Sequence, residues 1–345
     1  MKISIVIPVY NVERYIRRCL NSIIEQESES FDIECVLVDD CSPDSSVEVA
    51  KDVINGYHGS NISFVLLQHK VNKGVSVARN TGVAAASGDY LFFMDSDDVI
   101  AENAFKYLFS YLIDFPYVDV VMGNMLEMEQ PYLSNTAVTG NDNNYYLIDD
   151  KSLIWNLVLR RKIDRHVVNK LIRRSVIVDN NLSFDEEVTI YEDTIWTYKF
   201  YSFISSLIIV PALTYNYEVN NASITHTTDK KARKTLQSLV VVSDFVFSNP
   251  PMINGQYIQY TAHRLFVSHW MMMAIDVKDK HHIDSGYNTT LYSLRNAMLW
   301  DALRHFRLFL AFFFLIMYAP FKSLMKYRWF RSNFYRLEEL VYRIS

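Results

Sequence analysis

No Gly-x-Gly-x-x-Gly, Gly-x-x-x-x-Gly-Lys-Ser/Thr, Gly-x-Ser-x-Gly or His-Glu-x-x-His occurs anywhere in the 345 residues. These absences argue against an NAD enzyme, a P-loop ATPase, a serine hydrolase and a zincin, because each chemistry depends on the turn or ligand spacing that its signature encodes. Cysteine is scarce: Cys19, Cys35 and Cys41 form no Cys-x-x-Cys pair and are odd in number, so neither a zinc site nor a secreted disulfide framework is indicated. They are expected to be small buried hydrophobes in a reducing compartment. The formal net charge of −5 supplies no overall field for nucleic acid, and any basic surface must be local. Residues 1–8 are too short and too strand-like for a signal peptide, which makes a cytosolic location the expectation.

What is present is a regular alternation. Short apolar runs at residues 3–7, 33–38, 62–67, 90–94 and 118–122 are separated by helical patterns at 12–26, 44–55, 75–86 and 102–115. Such a βαβα series implies an α/β fold, a doubly wound and mostly parallel sheet with helices on both faces. The first helix carries Val12, Ile16, Leu20 and Ile23 on one face, and Asn11 stands where a cap is expected. Between residues 125 and 150 the pattern dissolves into Gln130-Pro131 and an Asn-rich stretch, which reads as a loop or insertion. From residue 232 onward the chain is expected to be mostly helical.

The chemistry gathers at strand ends. Asp95-Ser96-Asp97-Asp98 directly follows the run 90–94, where an open α/β sheet binds its ligand. Alternation along an extended chain would point Asp95 and Asp97 to one side, offering hard oxygens to a divalent ion that could also bridge a diphosphate. Acidic runs also make N-caps, solvated turns and calcium loops. An EF-hand is excluded, since Ile100 and Lys106 occupy the positions of its Gly and its bidentate Glu.

Val38-Asp39-Asp40-Cys41-Ser42 ends the second run with two more acids. Asn72-Lys73-Gly74 and Ala78-Arg79-Asn80-Thr81-Gly82 precede the run 90–94 that leads into Asp95, and Ile7-Pro8-Val9-Tyr10-Asn11 ends the first run. In this order the five motifs resemble an inverting family 2 glycosyltransferase of the GT-A fold, of the kind that builds bacterial surface polysaccharides. The match is strong over residues 1–125. The resemblance implies a nucleotide-sugar donor, with UDP as the expected nucleotide, and a growing surface glycan or a lipid-linked acceptor. It implies that Pro8 and Tyr10 flank the base and that Asp39 or Asp40 accepts hydrogen bonds from base or ribose. It places Lys73, Arg79 and Ser96 in the nucleotide-sugar site, and Asp97 with Asp95 on a Mn²⁺ or Mg²⁺ ion. Read without the resemblance, Tyr10 is equally an ordinary core aromatic, Asp40 a turn residue, and Lys73 and Arg79 solvated or ion-paired cations.

An inverting transfer needs one base. Tyr191-Glu192-Asp193 matches the family's downstream acidic pair, which makes Asp193 the expected base and Glu192 its neighbour. The alternative is an acidic first turn of a helix. Asp98 and Lys170 are expected on the acceptor or sugar side, although Lys170 also fits a solvated helix face. His226 stands where relatives place a His or basic residue near the diphosphate, which makes it a candidate metal ligand beside the plainer reading of a structural histidine. Two departures stand out: Cys41 replaces the Gly common after the Asp pair, and Glu102 replaces a Pro common after the metal motif.

Residues 1–125 are thus expected to form the donor-binding core, 126–230 the acceptor-side part, and 231–345 a helical C-terminal region. Within that region, residues 308–321 form a 14-residue apolar run flanked by Arg and Lys. This is shorter than the ~20 residues of a transmembrane helix. It suits a helix lying in an anionic membrane interface on the cytosolic side, or else a buried helix. Two other functions fit the same pattern: a nucleotidyltransferase of similar fold, and a non-catalytic membrane-surface module.

Overall fold

The computed structural model describes residues 1–125, 145–159, 163, 166–186, 188 and 192–217. They lie in one compact unit, Met1–Ser223. His226, Tyr191, the run 308–321 and the boundary at 230/231 lie outside the described residues.

The apolar runs become strands, and the central ones are covered on both faces while β3, at the sheet edge, stays half-buried. The opening series is β1 (Lys2–Val9), α1 (Ile16–Ile24), β2 (Asp32–Asp39), α2 (Ser46–Gly56), β3 (Ile62–Gln68), α3 (Val75–Ala85) and β4 (Tyr90–Phe93). Cys35, Val36, Leu37 and Val38 in β2, and Leu91, Phe92 and Phe93 in β4, have no exposed surface, as continuous apolar strands of a parallel sheet require. The chain continues through β5 (Val99–Ile100), α4 (Ala104–Asp114), β6 (Val120–Met125), β7 (Tyr146–Ile148), α5 (Lys151–Leu159), β8 (Lys170–Arg173), α6 (Arg174–Val178), α7 (Glu192–Phe203) and β9 (Leu207–Asn216).

One sheet holds all nine strands of the described residues in the order β3-β2-β1-β4-β8-β6-β9-β5, with β7 paired to β9. The long ladders, β1 with β2 and β2 with β3, are parallel. Strand β8 enters antiparallel between β4 and β6, so residues beyond 125 complete the sheet that residues 1–125 begin. The chain moves outward from β1 to β3 and then returns to β4 on the other side of β1. Right-handed crossovers therefore put α1 and α2 on one face and α3 on the other, and the reversal at β1/β4 makes the switch point where such sheets bind ligands.

Two expectations change. Regular helix in α1 starts at Ile16 rather than at Val12, and Asn11 does not cap it: Asn11 has φ 57°, the left-handed conformation that Asn tolerates. The intervening N–H groups are satisfied from the next unit instead, Val12 N–H by Ser46 Oγ at 2.9 Å and Glu13 N–H by Asp44 Oδ2 at 3.0 Å. Lys170 belongs to β8 and not to a helix; it is 1% exposed, with Nζ donating to the carbonyls of His166 and Val168. A solvated helix face is thereby excluded for it.

At the amino edge of the sheet Glu34 ties three elements together. It accepts from Lys2 Nζ (2.8 Å), Ser4 Oγ (2.6 Å), Ser87 N (2.7 Å) and Ser87 Oγ (2.6 Å). Burial opposes its charge, but these donors prevail and lower its pKa to about 2.

Candidate active site

The Ala78-Arg79-Asn80-Thr81-Gly82 segment of α3 assembles the site, and each of its residues has a separate task. Ala78 is fully buried. Arg79, 5% exposed, donates from one guanidinium nitrogen to Asp95 Oδ1 at 2.9 Å and from the other to Glu192 Oε1 at 3.0 Å. Its guanidinium also lies 5.3 Å from the centroid of the Phe184 ring. Burial opposes the guanidinium charge, yet Asp95 and Glu192 outweigh burial and fix the charged form. Asn80 exchanges two hydrogen bonds with the Phe184 backbone, at 3.0 and 2.8 Å. Gly82 lets α3 approach β1 closely, since a Cβ there would overlap Val6 Cγ1.

The same segment seats α7. Phe184 and Trp196 stack with centroids 4.9 Å apart, and Phe93 meets both edge-on at 5.4 Å. Such pairs contribute about 0.5–1.5 kcal/mol each beyond their buried area. They fix the first turn of α7, which carries Glu192 and Asp193, beside the end of β4. Burial raises the pKa of Glu192, and Asp193 adds to the rise while Arg79 opposes it. Asp193 is half-buried, and its charge reaches both Arg79 and Glu192.

The cluster Asp95 to Asp98 is a turn, not the extended segment expected. Asp98 N–H donates to the Asp95 carbonyl at 3.2 Å and closes it. Asp95 and Asp97 nevertheless remain half-exposed while Ser96 and Asp98 are buried. Arg18, from α1, donates to the Asp97 carbonyl at 3.2 Å. Asp98 is 1% exposed and accepts from the Tyr215 hydroxyl at 2.7 Å. Lys170 is likewise buried, with its Nζ bonded to backbone carbonyls. Among the described residues no group of three His, Cys, Asp or Glu side chains could hold a metal by itself. Asp95 and Asp97 fit Mn²⁺ or Mg²⁺ in the way small hard cations are commonly held, by one or two carboxylates with ligand phosphates completing the shell.

At the carboxyl end of β2, Asp39 and Asp40 are both buried. Asp39 accepts from Ser42 N–H at 3.0 Å. Asp40 accepts from Lys73 N–H at 2.9 Å, Gly74 N–H at 2.7 Å and His69 Nδ1 at 2.7 Å. The other nitrogen of His69 meets Thr81 Oγ1 at 3.0 Å. Asp40 thus clamps the Lys73–Gly74 turn, where Gly74 has φ 93°, and Lys73 itself is exposed. Tyr10, just past β1, is 48% exposed, which excludes a core aromatic; Pro8 is half-buried. Cys41 has φ 59° and is exposed, which departs from the expectation of a buried cysteine, whereas Cys19 and Cys35 are buried. The left-handed backbone explains why Gly is usual at that position.

Sequence reasoning missed three participants: His69, Thr81 and Tyr215. Thr81 lies inside a motif already singled out, and His69 lies three residues before Asn72-Lys73-Gly74. Tyr215 gave no signal, because its contact with Asp98 spans 117 positions.

Among curated proteins, a glycosyltransferase named GlyA from Streptococcus pneumoniae is 40% identical over 123 residues, covering 36% of this chain and 16% of its own. A poly(ribitol-phosphate) beta-glucosyltransferase from Bacillus spizizenii is 30% identical over 202 residues, 58% of this chain and 30% of its own. The chain thus spans less than a third of either relative. Among solved structures, residues 1–349 of S. aureus TarS in complex with UDP-GlcNAc superpose with a TM-score of 0.61 at 18% identity, covering 87% of this chain and 81% of that one, a likeness of GT-A fold. The family model described as Glycosyl transferase family 2 matches residues 4–179, from β1 through α6, and the chain belongs to that family.

Proposed function

We propose that the protein transfers a sugar with inversion from a UDP-sugar to a hydroxyl of a growing surface glycan or a lipid-linked acceptor. The observation that carries this reading is the Arg79 bridge. One buried guanidinium holds Asp95, on the strand-end turn, and Glu192, on the acidic pair, within 3.0 Å at the carboxyl edge of the sheet. This supports a donor-diphosphate region and a proton acceptor on one side of that edge, as a one-step displacement requires. The half-exposed Tyr10 supports a base-stacking role, and the exposed Lys73 on its clamped turn supports contact with the diphosphate.

Asp193 would take the proton from the acceptor hydroxyl as its oxygen bonds to the anomeric carbon, while the bond to the diphosphate breaks and UDP leaves with the electron pair. Glu192, held by Arg79, would orient the pair. Asp97 with Asp95 would hold a Mn²⁺ or Mg²⁺ ion, which when bound neutralises charge on the departing diphosphate and is worth several kcal/mol in such chemistry. A position on the cytosolic membrane surface rests on the basic flanks of residues 308–321; among the described residues no helix is long and apolar enough to cross a membrane.

The test is thermal stabilisation by UDP, GDP, CDP and dTDP, each with and without Mn²⁺. A ligand at 100 times its Kd stabilises by about 2.7 kcal/mol. The expected result is a shift for UDP that grows with Mn²⁺ and loses its metal dependence in Asp97→Ala. No shift for any diphosphate overturns the reading.

A further inference from the structure

We infer that Tyr215 is a positioning residue for divalent-cation binding: its buried hydroxyl, on β9, sets the shape of the Asp95–Asp98 turn. The inference rests on the donor reading above and extends it to a residue outside every sequence motif. Tyr215 has no exposed surface. Its hydroxyl accepts from Asp95 N–H at 3.2 Å and donates to Asp98 Oδ2 at 2.7 Å. Asp98 N–H in turn donates to the Asp95 carbonyl at 3.2 Å. These three bonds form a closed ring through both ends of the turn, and Asp95 and Asp97 are the two of its four residues that stay half-exposed.

The exit from the turn is fastened to the same strand. Val99 pairs with Asn216 and Ile100 with Tyr215 across an antiparallel ladder, and Ala101 N–H donates to the Thr214 carbonyl at 3.1 Å. Strand β9 is itself seated by Gly123, where any Cβ would overlap the Thr214 side chain, and by Asn169, whose Oδ1 accepts from Thr214 Oγ1 at 2.6 Å. The Tyr215 ring packs 6.1 Å from Phe92 in β4, which fixes the hydroxyl relative to the strand that ends in the turn. A rigid β9 therefore dictates where the Asp95 and Asp97 carboxylates stand relative to each other. A cation held by only two carboxylates and a diphosphate is sensitive to that spacing, because its small shell tolerates little distortion.

Tyr215→Phe removes one oxygen atom and retains the ring, so packing is kept while the ring of hydrogen bonds opens. The experiment is calorimetric titration of the full chain with Mn²⁺ at saturating UDP, beside titration with UDP in the absence of metal. The expected result is a Mn²⁺ midpoint at least tenfold higher in Tyr215→Phe, with metal-free UDP affinity within twofold of the parent. That split separates positioning of the turn from general loosening, which would weaken both titrations. Asp98→Asn, which keeps a carbonyl acceptor for the hydroxyl, is expected to shift the midpoint less than Tyr215→Phe. A midpoint within twofold of the parent in Tyr215→Phe, or equal losses in both titrations, overturns the assignment while leaving the donor reading intact. A parent protein that binds neither UDP nor Mn²⁺ overturns the donor reading and the assignment together.

Discussion

Replacing Arg79 by Met tests the bridge on which the site depends. The substitution keeps an unbranched apolar stem against Phe184 and deletes two charge-assisted hydrogen bonds, of 2.9 and 3.0 Å. Removing one partner from a buried ion pair costs about 3–5 kcal/mol, because the remaining charge is left without compensation. The two carboxylates do not share that cost equally. The Glu192 side chain is 13% exposed and bears most of it, whereas Asp95 is 33% exposed and regains water. A loss of about 3–4 kcal/mol is expected on these grounds. For a unit of this size that corresponds to a fall in Tm of roughly 6–16 °C. Thermal and urea unfolding of parent and variant, followed by circular dichroism, measure it. Two further comparisons probe the cause. Arg79→Met combined with Glu192→Gln should be more stable than Arg79→Met alone, since the uncompensated buried charge is gone. Acidification should also narrow the gap. Glu192 already binds its proton more tightly in the folded state, and the loss of Arg79 removes the influence that opposes this. The contribution of such a group is present below its unfolded pKa and is lost as pH rises through its folded one. A Tm fall of less than about 3 °C at pH 7, with no rescue by Glu192→Gln, would refute the reasoning.

Glu34, whose pKa is lowered to about 2, contributes stability that is fully present above the ordinary carboxylate range and disappears as pH falls from 4.5 toward 2. Glu34→Gln should flatten that part of the Tm-versus-pH curve, and an unchanged acid limb would count against the cluster. His69→Leu should release the Asp40 clamp, seen as roughly tenfold or faster exchange of the Lys73 and Gly74 amide hydrogens, because hydrogen bonds to charged groups are worth about 1.5–3 kcal/mol; His69→Asn, which still offers Asp40 a donor, should exchange more slowly than His69→Leu. Cys41→Gly relieves a left-handed backbone that costs a side-chain-bearing residue about 1–2 kcal/mol, against about 0.5–1 kcal/mol of added chain entropy. A small rise in Tm is the expected outcome, and a fall would show that the Cys41 thiol contributes more than the strain it imposes.

The amino-acid sequence by itself determined the parallel half of the sheet, because buried strands read as continuous apolar runs and their helices as 3.6-residue patterns. It also placed acids at the ends of β2 and β4, where Asp39, Asp40 and Asp95 stand. Local pattern could not determine what those residues do to one another. Asn11 was legible as polar and next to a helix, but its role depended on Ser46 and Asp44 taking the N–H groups that it would otherwise have capped. The strands at residues 170–173 and 207–216 are short or carry polar residues, and they become strands through pairing with β4 and β6. Asp98 and Lys170 looked like surface chemistry and are buried, each satisfied by atoms that sequence distance hides. Arg79 could be read as a cation, but its partners lie 16 and 113 positions away, and Tyr215 lies 117 from Asp98. Periodicity reports which face of an element is buried; only the packed sheet decides which distant donor meets which acceptor, because that choice is made by the crossovers and not by the segment that carries the residue.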